Sequence, residues 1–278
     1  MSSPLIRPLG SDEIERLIEW AADEGWNPGI HDGQAFRIVD PDGFLGAFVD
    51  GVLVSGIAAV RYSASFGFIG LYICRPDQRG KGYGRAIWDA GMAYLDGLTI
   101  GLDGVPAQQA NYRSMGFVRA YDTVRYSGLF PASAPAGIEI VPYAPQLGEA
   151  IRTLDRAAFP AARSAFLDRW IDLSAATCVA LRDGQVVGFA VARRCRSGYK
   201  IGPLFANAVD VAEGLLSAIA VHCPDEMHLD VPADQVAFVA SLERAGLTPG
   251  FTTARMYRGP EPSIAMDKVF AVTSLELG

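Results

Sequence analysis

Four cysteines in 278 residues, at positions 74, 178, 195 and 223, have neither the C-x-x-C spacing of a metal or redox motif nor the density of a disulfide scaffold. They read as reduced side chains of apolar segments, and no metal is expected. The chain also lacks an apolar run of membrane-spanning length, and its first residues show no basic stretch leading into an apolar core. Neither a membrane partner nor a secretory route is expected, so the reading is a cytoplasmic protein. Positive charge is not in excess either. The net charge is −7, with 11 basic against 15 acidic residues over 1–130 and 13 against 16 over the remainder. That sign repels polyanions, which excludes nucleic acid as a partner and mildly favours a cationic small molecule. Half of the residues are hydrophobic and a fifth are charged, so there is a core to bury and length for two ordinary domains.

What the chain does have is a glycine-rich turn between a strand and a helix. Tyr72-Ile73-Cys74 ends an apolar segment, Arg75-Pro76-Asp77-Gln78-Arg79-Gly80-Lys81-Gly82-Tyr83-Gly84-Arg85 makes the turn, and a helical pattern follows to Leu95. Glycines 80, 82 and 84 let a backbone approach an anion. Arg79, Lys81, Arg85 and the helix N-terminus supply the matching charge, and together these features form a diphosphate cradle. Two nucleotide chemistries are excluded by its form. Lys81 is followed by Gly82 where a P-loop needs Ser or Thr for magnesium, and position 87 is Ile where G-x-G-x-x-G needs its third glycine.

Arg79-x-x-Gly82-x-Gly84 instead resembles the acyl-coenzyme A pyrophosphate loop of the GCN5-related N-acetyltransferase (GNAT) superfamily. A second motif in the right order, Asn111-Tyr112-Arg113-Ser114-Met115-Gly116-Phe117, resembles the family's Tyr-x-x-x-Gly-Phe ending. The resemblance implies a strand that splays from its neighbour, a pantetheine arm paired with that strand's backbone, and a tyrosine beside the coenzyme thiol. It places acetyl-CoA against Ile73, Cys74, Arg79, Gly80, Lys81, Gly82, Tyr83, Gly84 and Arg85. Asn111 either bonds the pantetheine or caps a turn.

The pattern along the chain predicts an α/β fold with a mixed (α+β) sheet. A helix is expected from an Asp12-x-x-Glu15 capping box to a stop at Gly25, with Ile14, Leu17, Ile18 and Ala21 on its buried face. A second helix is expected over 31–37. Residues 45–49 and 52–61 read as a hairpin about Asp50-Gly51, and 66–74 as the strand that delivers the glycine loop. A strand at 98–102, a helix entered through Pro106 and a strand at 119–127 complete the unit. After a Pro/Ala/Ser/Gly linker at 131–137 the order repeats. Asp183-Gly184 matches Asp50-Gly51, residues 200–205 match the loop-bearing strand, and 242–247 match the tyrosine motif. The expectation is two tandem acyl-CoA N-acyltransferase-like domains, 1–130 catalytic and 138–278 diverged. The second copy lacks the arginine and paired glycines and has Leu242 where the first has Tyr112, and residues 269–277 are expected to add a closing strand.

Acetyl transfer to an amine needs a polarised carbonyl, a deprotonated nucleophile and a proton for the leaving thiolate. The backbone N–H of Cys74 can polarise the carbonyl. Tyr112 is the candidate acid, because a phenol stays protonated at neutral pH, with simple packing as its alternative. No Asp or Glu lies in strand 66–74. A base must therefore come from the first helices or from a water, with Glu24, His31 and Asp32 as candidates beside the 26–29 turn. Trp20 and Trp26 offer apolar walls there, and the amine is expected in a cleft between this turn, with Glu24, Trp26, His31 and Asp32, and the second domain, which walls it. The Cys74 thiol reads as inert. The function expected is acetyl-CoA-dependent N-acetyl transfer to a primary amine, a small molecule or a lysine, by direct attack. The alternatives are a non-catalytic acyl-CoA sensor and a purely structural tandem domain. Oligomeric state is not legible.

Overall fold

The computed structural model describes residues 3–132 and 137–278, so residues 133–136 of the expected linker lie outside the described part. The first half contains β1 (Leu5–Pro8), α1 (Ser11–Asp23), α2 (Asp32–Val39), β2 (Phe44–Val49), β3 (Val52–Arg61) and β4 (Phe66–Cys74), then α3 (Tyr83–Tyr94), β5 (Thr99–Gly104), α4 (Pro106–Ser114) and β6 (Val118–Gly128). The second half repeats that order with β7 (Glu139–Pro142), α5 (Gly148–Ala158), α6 (Ser164–Asp172), β8 (Ala176–Arg182), β9 (Gln185–Arg194), β10 (Tyr199–Ala206), α7 (Val209–His222), β11 (Met227–Pro232), α8 (Val236–Arg244) and β12 (Thr248–Arg258). A short strand β13 (Val269–Ala271) follows.

Local chemistry accounts for most of these elements. Asp50 and Gly51 both take positive φ (49° and 78°), as do Asp183 and Gly184 (52° and 75°). That backbone matches the twist of the strands it joins and is why both hairpins have two-residue turns. The first helix begins earlier than expected. Glu13, not Glu15, reaches back to the Gly10 N–H at 2.8 Å, and Arg7 grips the same carboxylate at 2.6 Å and 2.8 Å. A carboxylate held by an arginine and a helix start outcompetes the downstream Asp12/Glu15 pair.

All the strands join one mixed sheet in the order β1-β2-β3-β4-β5-β12-β6-β11-β10-β9-β8-β7, with β13 paired to β10. The last strand of each half has changed sides. β12 lies antiparallel between β5 and β6, and β6 lies antiparallel to β11. The halves are thus related by a pseudo-twofold axis through a shared seam. One face of the sheet carries a common core in which α1 and α2 (Leu17, Phe36) meet α5 and α6 (Ile151, Phe166, Trp170), with Phe36 stacked on Trp170 at 5.6 Å. On the other face each half has its own core, Trp88, Tyr112 and Phe117 in the first and Leu215, Phe238 and Leu242 in the second.

The expected closing strand at 269–277 is only three residues long. After Ala271 the chain turns, with Val272 N–H bonded to the Asp230 carbonyl at 3.0 Å and Leu277 N–H to Ser274 Oγ at 3.0 Å. These side-chain and crossing bonds compete with further ladder formation. Segment 272–278 instead packs under β4, buried by Arg163, which holds Asp155, Thr273 Oγ1 and the Gly278 carbonyl.

Candidate active site

The site is built where β4 and β5 part. They pair in parallel only from Phe66–Ile69 to Thr99–Leu102. Beyond Ile69 the register of β4 against β3 slips, so that Leu71 and Tyr72 oppose Ile57 alone, and Leu71 takes φ 47°. This is a bulge, and it turns β4 out of the plane of β5. Arg75 N–H donates to Val54 C=O at 3.0 Å. Since N–H groups alternate in direction along an antiparallel ladder, the Cys74 N–H is turned away from β3 and toward the opening.

The opening leads into a cavity of about 500 Å³. Of the residues singled out from sequence, Ile73, Cys74, Arg79, Gly80, Gly82, Gly84, Arg85, Tyr112, Glu24 and Trp26 line it. At its mouth Gly80 and Gly82 have φ 76° and 86°, and Gly82 is the N-cap of α3 with no side chain closing the first turn. Free helix N–H groups therefore face the cavity mouth, a site suited to an anion. Arg79 donates from Nε to the Cys74 carbonyl at 3.0 Å and is ion-paired to Glu24.

Other expected residues stand elsewhere. Lys81 reaches Gln78 Oε1 at 3.0 Å, the Tyr83 ring is buried in the core beneath α3, and Asn111 is exposed, within 3.3 Å of Gln108 Oε1. None of these three lines the cavity, although Gln108 does. His31 is exposed. Asp32 is buried, accepts the Gly29 N–H at 2.8 Å and is ion-paired to Arg193 of β9. Asp32 is thus committed to an arginine and an amide, and neither it nor His31 lines the cavity. Trp20 packs against the shared core.

Tyr112 is enclosed on the α3/α4 side of the sheet, stacked on Trp88 at 5.4 Å. Burial, with the nearby Tyr72 hydroxyl as a smaller contribution, pushes its phenol up to about 12. It is therefore a firmly protonated hydroxyl inside the cavity. Tyr72 was not expected. It sits on β4 two residues before Cys74, on the same face, and its ring lies 5.3 Å from that of Trp88. Burial also raises the Cys74 thiol, which keeps that group protonated.

The far wall comes mostly from the second half, as expected, but through residues that no motif singles out in the sequence. Phe251, Thr253, Leu275 and Glu276 of the second half contribute, together with Arg125 of β6. Around them lies a set of buried ion pairs: Arg125 with Asp230 (2.8 Å), Arg255 with Asp103 (2.8 Å), and Lys200 with Glu276 (3.4 Å). Arg125 and Phe251 also border a second opening of about 400 Å³ between Gly25 and Asn27 of the first half and Arg196, Ser197 and His228 of the second. The signal available in sequence was only the alternation of charged and apolar residues in β6, β11 and β12, which says nothing about their partners.

The second half has the same splay and fills it. β10 pairs with β11 only over Tyr199–Ile201, and past that point β13 lies against β10 at Leu204 and Phe205. Leu242 occupies the place of Tyr112 and is fully buried. Among the described residues no group of three or more His, Cys, Asp or Glu is placed to hold a metal, and no helix is long and apolar enough to cross a membrane.

Comparison with known proteins agrees with this geometry. Residues 9–119 match the acetyltransferase (GNAT) family and residues 151–271 match an acetyltransferase (GNAT) domain. Over 98% of its length the chain is 32% identical to a holothin acyltransferase of Pseudoalteromonas sp. (strain SANK 73390), covering 94% of that protein. It is 23% identical, over 97% of each chain, to an uncharacterized N-acetyltransferase of Bacillus subtilis (strain 168). A Pyrococcus horikoshii structure described as a candidate acetyltransferase superposes with TM-score 0.81 at 23% identity, covering 100% of this chain and 97% of that one. A tandem GNAT protein from the clavulanic acid biosynthesis pathway superposes with TM-score 0.65 at 16% identity, covering 93% and 99%. The chain belongs to the GNAT family of acyltransferases and carries two GNAT domains in tandem.

Proposed function

We propose that the protein is an acetyl-CoA-dependent N-acetyltransferase that acts on a primary amine by direct attack, with its one reaction centre in the first half (1–130) and the second half (138–278) enclosing the acceptor. The observation that carries this is the cavity at the β4/β5 splay, which joins an anion-binding helix start, an outward strand N–H and a buried phenol. The coenzyme's diphosphate lies at Gly80 to Gly84 with Arg79 and Arg85 beside it. The pantetheine runs along the free edge of β4, and the thioester carbonyl accepts from the Cys74 N–H. As the C–S bond breaks, Tyr112 donates its proton to sulfur. A phenol raised by burial can do so because the thiolate forms in the same low-dielectric cavity, where its own proton affinity is raised too.

The acceptor enters through the second opening, between Gly25 and Asn27 on one side and Ser197 and His228 on the other. Arg125 and Phe251 divide this opening from the cavity, so coenzyme and acceptor arrive from different directions. The test is to mix the protein with acetyl-CoA and a panel of primary amines and follow free thiol, alongside a calorimetric titration with the coenzyme. Amine-dependent thiol release with one coenzyme bound per chain is expected. Tight coenzyme binding with no thiol release under any amine would make the protein a sensor instead.

A further inference from the structure

Among the described residues, Asp230, Asp103, Asp32 and Glu276 are buried carboxylates within the seam between the halves, and the first three are each held by an arginine. Asp230 is held by both Arg125 Nε and Nη2, Asp103 by Arg255 Nε and Nη2, and Asp32 by Arg193 and the Gly29 N–H. Glu276 is different. Its Oε1 takes only a 3.4 Å contact from Lys200 Nζ, which is shared with the Trp26 carbonyl at 3.2 Å, and its Oε2 is buried with no hydrogen-bond partner. A buried carboxylate oxygen without a donor is costly unless something else binds there. Glu276 forms part of the cavity wall, as does Thr253, whose buried Oγ1 also lacks a partner.

Its position relative to Tyr112 gives the orphaned oxygen a use. Tyr112 belongs to the core on the α3/α4 face, whereas Leu275 and Leu277 pack into the shared core on the other face. A Cβ at Gly70, the residue where β4 leaves β5, would meet the Glu276 carbonyl oxygen at 1.8 Å. The segment is therefore seated directly beneath the splay. The two groups flank the gap between β4 and β5 from opposite faces, and the α1 end that borders the second opening is on the Glu276 face.

We infer that Glu276, supplied by the second half, is the proton acceptor for the amine in the first half's reaction centre. This rests on the acetyltransferase reading above. An ammonium entering from the shared-core face gives one proton to Oε2. The nitrogen lone pair then forms the C–N bond at the thioester carbon, and the oxyanion is held by the Cys74 N–H. Collapse breaks the C–S bond and sulfur takes the Tyr112 proton. The amide nitrogen sheds its remaining extra proton, which restores the phenol, and the proton on Glu276 passes to solvent as product leaves. Lys200, Arg125 and Arg193 face Glu276 together with Asp103. Arg125 and Arg193 each have an acid of their own, in Asp230 and Asp32, so among the described residues Lys200 is the cation in direct contact with Glu276.

The experiment compares two nucleophiles with acetyl-CoA: a primary alkylamine that is protonated at neutral pH, and hydroxylamine, which is already neutral and needs no base. In Glu276→Gln the ratio of alkylamine to hydroxylamine rates should fall by ~10²-fold or more, with coenzyme affinity retained by calorimetry. Glu276→Asp, which keeps the charge with a shorter reach, should recover part of that ratio. If Glu276→Gln fails to fold, the Asp variant carries the same comparison through a partial loss. An unchanged ratio in a folded variant, or equal losses with both nucleophiles, overturns the assignment. Wild-type protein that transfers to neither nucleophile overturns the acetyltransferase reading itself, and the assignment with it.

Discussion

Tyr112 illustrates how a single residue's environment sets its chemistry. Its ring is fixed between Trp88, Phe117 and the backbone of β5, where a Cβ at Gly104 would come within 3.0 Å of Tyr112 Cδ2. Removing only the hydroxyl therefore keeps the packing. Tyr112→Phe should lower kcat by ~10²-fold with coenzyme affinity unchanged, read from steady-state kinetics and calorimetry. The sign of the pH effect follows from burial. An acid whose pKa is raised to about 12 stays competent as pH rises, so no loss of rate from this group is expected near pH ~10, where a free phenol would ionise. The glycine loop is tested separately. Gly82 has open space for a Cβ but φ 86°, so Gly82→Val acts through backbone strain and not through a clash. Arg79→Glu adds an acid beside Glu24 as well as removing a cation. Both variants should weaken acetyl-CoA binding by calorimetry while circular dichroism is preserved, and unchanged affinity in both would remove the loop from the site.

At the scale of elements, the β5/β12 seam makes the cavity possible. β12 supplies Thr253 to the wall and Arg255 to Asp103, whose carboxyl burial has already pushed above the usual range. Arg255→Ala leaves that carboxylate buried without its partner and should cost about 3–5 kcal/mol in denaturant unfolding. A raised native pKa means that the folded state binds the proton more tightly than the unfolded chain does. The deficit should therefore shrink as pH falls toward the carboxylate range and be largest above it. A deficit independent of pH would place its origin in packing. These pairings mark the limit of what the sequence makes legible. Asp50-Gly51, Asp183-Gly184 and Pro106 announce their turns because the chemistry is local, and Arg79-x-x-Gly82-x-Gly84 announces an anion site for the same reason. The partner of β12 is not local. Two copies of one fold present equivalent strand edges, and only the assembled seam, with Arg255 meeting Asp103 and Arg125 meeting Asp230, selects the exchanged pairing. Glu276 was invisible for a related reason. Ser274-Leu275-Glu276-Leu277 alternates like a strand, and what stops it from being one is Arg163, Arg193 and Asp230, all distant in sequence.

For the whole molecule, the exchange of β6 and β12 makes the two halves interdependent although the chain reads as a tandem repeat. β6 has β11 and β12 as its neighbours, so both come from the second half. The first half alone would leave β5 as an open edge, lose the cover of α5 and α6 over Phe36, and expose Phe68 where Gly278 now packs. It would also lose the far wall of the cavity. One remedy is open to such a fragment: β6 can fold back onto β5 in the position β12 now holds, but it would bring neither Arg255 to Asp103 nor Glu276 to the floor. We therefore expect residues 1–130, expressed alone, to show no cooperative thermal transition and no amine-dependent thiol release. Mixing with residues 138–278 as a separate chain should restore both, because the exchanged strands are long and need no covalent link to pair. A fragment 1–130 that unfolds cooperatively and turns over acetyl-CoA would show that the seam is dispensable and that the second half merely decorates a self-sufficient domain.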